Sequence, residues 1–149
     1  MKPNLRTDVV RLLRRRVDPR EYRSIRQLWI AHSLAEDAHD IPGLMATLTE
    51  DCIYTVINKG VDWHGKAGAT QFYQHLLTAF PDIHFDLQNI VIGPQGVFEE
   101  AYVSGTYQSQ WLDMPPPTGQ RVDFAVTILF PWDPSQKLFT GERIYFFLK

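Results

Sequence analysis

Cysteine and long apolar runs are both scarce in this sequence. The 149-residue chain has one cysteine, Cys52, so no disulfide can form within it, and its apolar neighbours suggest a buried thiol. No apolar run approaches the roughly 20 residues that a membrane-spanning helix needs. The basic N-terminus lacks the apolar core and the cleavage site of a secretory signal. We therefore expect a cytoplasmic protein without a membrane segment.

Charge is unevenly distributed along the chain. Residues 1–26 hold nine of the 15 basic residues and only three of the 17 acidic residues, so this segment carries +6 and the remainder −8. Such an arm could bind nucleic acid or anionic lipid, but no zinc-ligand spacing or RNA-binding aromatic motif accompanies it. We expect it to dock on the acidic body of this chain or of a second copy, and we do not expect nucleic-acid binding.

Helical patterns dominate the first half of the chain. Residues 7–17 predict a short amphipathic helix, and we interpret residues 1–17 as a basic helical arm before a domain at 18–149. Asp18, Pro19 and Glu21 predict the start of the longest helix, with Asp18 as its cap and Glu21 reaching back to the cap amide. A second helix is expected from residue 40 to near residue 51, and a third from His64 to Pro81.

Strand patterns dominate the second half. Three long strands are predicted at Val97–Trp111, Gln120–Pro131 and Leu138–Leu148, after a short hairpin near 52–63 and a strand near 83–88. The middle strand alternates, with its apolar side chains on one face. This order predicts an α+β cone, in which three helices cover a curved antiparallel sheet and an extra helix lies at the N-terminus. Such a cone encloses a hollow that suits a ligand site.

Several short motifs resemble those of a known family. Gly65-Lys66-Ala67-Gly68, Ala79-Phe80-Pro81-Asp82, Pro116-Pro117-Thr118-Gly119 and 141–146 follow one another over roughly residues 25 to 147. Their order and spacing resemble the SnoaL-like polyketide cyclase family, which belongs to the nuclear transport factor 2-like superfamily. The resemblance implies the cone-shaped fold of that superfamily. Members include cyclases, isomerases, hydrolases, dehydratases and proteins without known activity.

The resemblance also suggests where chemistry would lie. Cyclases of the family have an acidic general acid/base on the last strand and a supporting histidine on the strand before it. Matched through Pro117 and Thr118, the histidine position is Ile128 and the acid position is near Ile144. Glu142 lies two residues earlier, on the same face of the strand, where it could replace that acid.

The residue patterns supply their own candidates. Glu142 lies among apolar strand residues, where burial would raise its pKa toward the range useful for proton transfer. His32 falls on the apolar face of the longest helix, and His64 precedes the third helix, so either could act with Glu142. Candidates for contacting a substrate are mainly aromatic and apolar: Trp29, Tyr54, Trp63, Tyr107, Trp111, Phe124, Ile128 and Ile144.

Metal and cofactor sites are not expected. His32, Glu36 and His39 are spaced so that they share one helix face, but a single exposed helix end makes a poor metal cage. Gly65–Gly68 lacks the spacing of a phosphate-binding loop, and no dinucleotide fingerprint is present. A pairing of His32 with Glu36 or Asp37 would instead tune the basicity of the imidazole.

Three hypotheses for function follow. The first is a cofactor-independent enzyme that uses acid/base chemistry on an apolar cyclic or carbonyl-bearing metabolite, as cyclase, isomerase or hydrolase. The second is a non-catalytic protein that binds an apolar ligand in the same pocket. The third is an interaction module that forms a homodimer through the sheet and contacts a partner with the arginine-rich arm.

Overall fold

The computed structural model describes residues 6–148, so the part of the predicted arm at residues 1–5 lies outside the described residues. Four helices and six strands follow one another as α1 Thr7–Arg14, α2 Pro19–Asp37, α3 Ile41–Met45, β1 Leu48–Val56, β2 Val61–His64, α4 Gly65–Ala79, β3 His84–Gly93, β4 Gly96–Thr106, β5 Arg121–Asp133 and β6 Leu138–Leu148. None of these helices combines the length and the hydropathy required to cross a bilayer.

The six strands form one curved sheet in the order β2-β1-β6-β5-β4-β3. All neighbouring strands are antiparallel except β1 and β6, which run parallel. Helices α2 and α4 contribute buried side chains to the same core as the inward face of the sheet. The predicted α+β cone is therefore confirmed, although the parallel pairing of β1 with the last strand was not predicted.

The start of α2 follows local sequence rules. Asp18 has extended backbone angles, and its side chain accepts a hydrogen bond from the Glu21 amide at 2.8 Å, as predicted for a cap. The side chain of Glu21 does not return to the cap as expected, because its Oε1 accepts a hydrogen bond from Trp132 Nε1 at 3.0 Å. This contact joins α2 to the end of β5.

Besides the end of β3, which lies at Gly93 rather than near residue 88, three predicted element boundaries were wrong. Helix α1 ends at Arg14 rather than Val17, because Asp18 is extended before Pro19 and the run Arg14–Arg16 places like charges together. Helix α3 ends at Met45, and Leu48 begins β1, because the Phe139 amide donates a hydrogen bond to the Thr47 carbonyl and starts the pairing with β6. Strand β4 ends at Thr106, and residues 107–120 form a loop that returns Trp111 to the core.

Proline explains the third of these differences. Pro115, Pro116 and Pro117 have no amide hydrogen for a strand ladder, so the chain leaves the sheet around them. The Tyr107 hydroxyl accepts a hydrogen bond from the Trp111 amide at 3.1 Å, which fixes the loop. Trp111 therefore reaches the interior from a loop and not from a strand.

Candidate functional site

A bulge at Gly141 turns Glu142 into the interior. Phe139 is buried before the bulge, whereas Glu142, Ile144 and Phe146 are buried after it, so the inward positions of β6 change from odd to even numbers. Gly141 has a φ of 126°, and a Cβ at this position would collide with the backbone oxygen of Ile53 on β1. Glycine is thus the residue that permits the bulge and aims the Glu142 carboxyl at α2.

Glu142 and His32 form a buried pair. The Glu142 Oε1 atom lies 2.9 Å from His32 Nε2, and the side chains are 2% and 1% exposed. His32 projects from the inward face of α2, with Ile25 and Ala35 as the other buried residues of that helix. A histidine and a carboxylate removed together from water stabilise each other because each compensates the charge of the other.

Thr47 fixes the orientation of the imidazole. Its hydroxyl donates a hydrogen bond to the Leu44 carbonyl at 2.7 Å, so its oxygen is left to accept from His32 Nδ1, also at 2.7 Å. His32 therefore carries a proton on Nδ1, and Nε2 is the nitrogen that exchanges a proton with Glu142. The same Thr47 hydrogen bond satisfies a carbonyl at the end of α3.

Two tyrosines continue this network. The Tyr73 hydroxyl donates to Glu142 Oε1 at 2.8 Å, so its oxygen accepts the proton of Tyr54, whose hydroxyl lies 3.0 Å away. Burial, followed by the nearby Glu142 charge, raises the pKa of both phenols well above 10. Both hydroxyls therefore stay protonated and donate in the direction of the carboxylate.

Glu36 lies at the edge of the same network. Its Oε2 atom is 3.4 Å from the Tyr73 hydroxyl, whose proton serves the shorter bond to Glu142. Burial raises the pKa of Glu36 well above its ordinary value, and the charges of Glu142 and Glu99 raise it further. Two acids in one site thus differ in surroundings: Glu142 receives two donors, and Glu36 is favoured in its protonated form.

An apolar cavity opens beside the pair. Glu142 and Glu36 are its acidic lining residues, and the remaining lining side chains are apolar or aromatic: Val56, Phe72, Leu76, Ile83, Phe85, Trp111, Phe124, Val126, Ile128, Ile144 and Phe146. The cavity lies between α4 and the inward face of the sheet. It can hold an apolar molecule against the Glu142 carboxyl.

A second cavity adjoins the first and shares Glu36 and Phe85 with it. Its lining includes His32, Trp29 and the buried Glu99 of β4. The Trp29 Nε1–H donates to Glu99 Oε2 at 3.0 Å. Burial, followed by the charge of Glu142, raises the pKa of Glu99 to about 7.

The structure brings most of the predicted site residues together. Glu142 and His32 are in direct contact, Trp111, Phe124, Ile128 and Ile144 line the apolar cavity, and Trp29 lines the second. His32 pairs with Glu142 rather than with Glu36 or Asp37, because the bulge brings β6 up to α2.

Four of the predicted residues line neither cavity. His64 is exposed at the start of α4, where its side chain makes no capping hydrogen bond. Tyr54 belongs to the hydroxyl network, Trp63 packs against Trp111, and Tyr107 stacks on Phe80. The catalytic role of His64 and the substrate contacts of Tyr54, Trp63 and Tyr107 stay predictions.

Sequence reasoning did not find Tyr73, Thr47 or Glu99 as site residues. Glu99 had a readable signal, because it alternates with Val97, Ala101 and Val103, which are all buried on the inward face of β4. Tyr73 was identified only as part of the apolar stripe of α4. Thr47 had no signal in the sequence, because its role depends on the place where α3 ends.

Within residues 6–148, one group of side chains could hold a metal ion. His32, Glu36 and Glu142 each offer a ligand atom, and these atoms lie within 4.8 Å of one another. His32 Nε2 and Glu142 Oε1 already share a hydrogen bond, so an ion would replace that contact. The hydrogen bonds account for the positions of these groups, and the expectation of no metal stays a prediction.

A family model of the SnoaL-like domain matches residues 29–133, which include both His32 and Glu99. The chain belongs to the SnoaL-like domain family. No curated protein matches this SnoaL-like chain significantly. The family assignment and the cone fold therefore agree with the sequence-based prediction.

Solved structures similar to this SnoaL-like protein share its fold. A proposed SnoaL-like polyketide cyclase from Jannaschia sp. CCS1 has a TM-score of 0.74 and 17% identity, covering 89% of this chain and 90% of its own. A proposed polyketide cyclase from Xanthomonas campestris has a TM-score of 0.67 and 22% identity, covering 84% and 91%. AclR, a proposed hydroxylase from Streptomyces galilaeus, has a TM-score of 0.68 and 18% identity, covering 86% and 81%. At these identities the similarity establishes the fold alone.

Proposed function

We propose that the protein is a cofactor-independent enzyme in which Glu142 transfers a proton to or from an apolar, carbonyl-bearing or cyclic metabolite. The observation that carries this proposal is the buried Glu142–His32 pair at the wall of an apolar cavity. An acid/base pair removed from water beside a space for an apolar molecule is the arrangement that general acid/base catalysis needs. The names of two of the similar structures, proposed polyketide cyclases, support chemistry on a metabolite that forms or contains a ring.

Glu142 would act as the base. The Nε2–H of His32 and the hydroxyl of Tyr73 both reach its Oε1 atom, and two donors at one oxygen stabilise a carboxylate. Glu142 would take a proton from a carbon beside a carbonyl, and the electron pair of that C–H bond would move onto the carbonyl oxygen to give an enolate. His32 would hold the carboxyl in position and share its proton.

Two reactions of the enolate can then follow, and both account for the proton that Glu142 has taken. In an isomerisation, Glu142 returns the proton to a different carbon of the same molecule. In a ring closure, the enolate carbon attacks a second carbonyl of the same molecule, and the resulting alkoxide takes the proton from Glu142. Neither outcome needs an oxidant, a reductant or a bound cofactor.

Glu36 would stabilise the enolate oxygen. It lines the apolar cavity with Glu142, and the rise in its pKa favours the protonated acid, which is a hydrogen-bond donor. The apolar walls would exclude water, which strengthens such a bond because fewer solvent dipoles compete with it. Trp111 and Phe124 would contact the body of the substrate.

The test of this proposal is proton exchange with solvent. Deuterium incorporation beside the carbonyl of 1-tetralone and of cyclohexanone would be followed by proton NMR in deuterated buffer. We expect the protein to accelerate exchange and Glu142→Gln to lower that acceleration by about 10²–10⁴-fold. The matched control is Glu50→Gln, since Glu50 is exposed and pairs with Lys66 on the surface.

Two results would contradict the proposal. One is the same acceleration in Glu142→Gln as in the unmodified protein. The other is no acceleration of either ketone above buffer, which would favour the non-catalytic protein that binds an apolar ligand. Thermal unfolding of each variant shows whether a loss of activity reflects a loss of structure.

We also propose a homodimer through the outer face of the sheet. Phe98 of β4 and Tyr145 and Phe147 of β6 alternate with buried residues, so they point away from the helices, and Phe147 is 54% exposed. The backbone register places Phe147 beside Ala125 and Phe98 beside Leu129. Large apolar side chains exposed on one face of a sheet favour association, and a two-fold axis would bury them against their own copies.

A further inference from the structure

The second cavity gives the site a polar end. It shares Glu36 and Phe85 with the apolar cavity, so the two spaces are neighbours. His32, Asp37 and Glu99 are among its lining residues, whereas the first cavity has Glu36 and Glu142 as its ionisable groups. The site therefore has an apolar part and a polar part side by side.

Glu99 is a hydrogen-bond acceptor held in position at this polar end. Its side chain is 7% exposed and faces inward, because β4 alternates between the two faces of the sheet. Its Oε2 atom is fixed by Trp29 Nε1–H at 3.0 Å, and within residues 6–148 its Oε1 atom has no hydrogen-bond partner. A carboxyl oxygen that faces a cavity without a protein partner is free to accept a hydrogen bond from a ligand donor.

The charges around both cavities restrict the ligand further. Among the described residues, no lysine or arginine lines either cavity, and His32, the lining group able to become cationic, is paired with Glu142. Above pH 7, where Glu99 is mainly ionised, its charge would repel a ligand carboxylate, and no free cation among the described residues of the two linings would compensate it. A hydroxyl or an amino group, in contrast, would donate to Glu99.

We infer that the substrate is an apolar ring compound bearing a hydrogen-bond donor, a hydroxyl or an amino group, that binds Glu99 while its body fills the apolar cavity. Trp29 serves as the positioning residue that holds the Glu99 carboxyl toward the ligand. This inference rests on the proposed function, since it names the class of substrate for the same site. On this inference, Glu99 and Trp29 determine which substrates the site selects.

Three matched probes test the inference: cyclohexylmethanol, cyclohexylmethylamine and cyclohexanecarboxylate. Their rings are equal in size, and they differ in the polar group. Dissociation constants would come from NMR titration, and the indole N–H signal of Trp29 would report binding at this position. We expect the alcohol or the amine to bind at least about tenfold more tightly than the carboxylate, one hydrogen bond being worth about that factor.

Glu99→Gln provides the decisive comparison. The Trp29 indole would bond the amide oxygen of the new side chain, which leaves its amide N–H donors toward the cavity and removes the preference for ligand donors. Glu100→Gln is the matched control, because Glu100 is exposed on the opposite face and accepts from Asn89 at 3.0 Å. We expect Glu100→Gln to keep the preference of the unmodified protein.

Three results would overturn the inference: binding of the carboxylate as tightly as the other probes, an unchanged preference in Glu99→Gln, or binding of none of the probes. These outcomes differ from a failure of the proposed function. If Glu142→Gln leaves proton exchange unchanged while Glu99 still sets the preference between ligands, the protein binds such ligands at Glu99 without catalysing proton transfer. Comparison of the alcohol with the amine identifies which donor the site favours.

Discussion

His32 Nε2 and Glu142 Oε1 lie 2.9 Å apart although 110 positions separate the two residues in the sequence. The contact joins the second helix to the last strand across the core. It depends on three local features: the inward face of α2, the Thr47 hydroxyl that orients the imidazole, and the bulge at Gly141. Each of these features can be altered separately, and four predictions follow from them and from the surfaces described above.

Removal of one partner from the His32–Glu142 pair should destabilise the protein more than removal of both. We expect His32→Leu to cost about 3–5 kcal/mol in unfolding free energy at pH 7, because it leaves the buried Glu142 carboxyl without its hydrogen-bond partner on α2. The double variant His32→Leu with Glu142→Met should recover most of that loss. Urea unfolding measures all three values, and simple additivity of the two single changes would show that the contact is not an ion pair.

Gly141→Ala should destabilise the protein more than Gly119→Ala, which is a change at another glycine of positive φ. Gly119 has a φ of 74°, and no atom lies within 4 Å of the position that a Cβ would take there, so Gly119→Ala should cost only the backbone strain of about 1–2 kcal/mol. Gly141→Ala adds a collision with the Ile53 backbone, and we expect at least about 2 kcal/mol more. Equal losses of unfolding free energy in the two variants would contradict a requirement for glycine in the bulge.

Glu99 should make stability fall as the pH rises. Its pKa is about 7 in the folded protein and 4.5 as the ordinary value, so between these values the folded state binds more protons than the unfolded state. The stability associated with protonated Glu99 is present below about pH 4.5 and is lost as the pH rises through 7. Glu36 and His32, which line the same cavity, are present in both Glu99→Gln and the unmodified protein, so they do not account for a difference between the two.

The measurement for Glu99 is urea unfolding of Glu99→Gln and of Glu100→Gln between pH 4.5 and pH 8. We expect the difference between Glu99→Gln and the unmodified protein to shift in favour of the variant by up to about 3 kcal/mol across this range. Glu100→Gln should follow the unmodified protein. Parallel curves for all three proteins would be inconsistent with a raised pKa at Glu99.

Phe147→Asp should convert a dimer to a monomer without loss of the fold. The change places a charge on the outer face of the sheet, where two copies would otherwise meet. Sedimentation velocity measures the mass, and circular dichroism checks the fold. The control is Leu13→Asp, an exposed apolar position on α1, which should leave the mass unchanged. A monomer before substitution would refute the proposed dimer.

The sequence predicted the fold because its local signals agree with one another. Asp18 and Pro19 mark the start of α2, and strand alternation in residues 121–133 marks the buried face of β5. The same signals placed His32 and Glu142 on buried faces. Boundaries were less predictable where tertiary pairing decides them, as at Leu48, which forms a strand because Phe139 pairs with its neighbour.

The sequence by itself determined the elements, the inward faces and the family of this protein, since periodicity, caps and turn residues act over a few neighbouring positions. Only the tertiary structure decided that Glu142 meets His32, that Tyr73 and Tyr54 direct their protons toward it, and that Glu99 lines a second cavity. These relationships join residues far apart in the chain. They depend on the bulge at Gly141 and on the parallel pairing of β1 with β6, which no local pattern specifies.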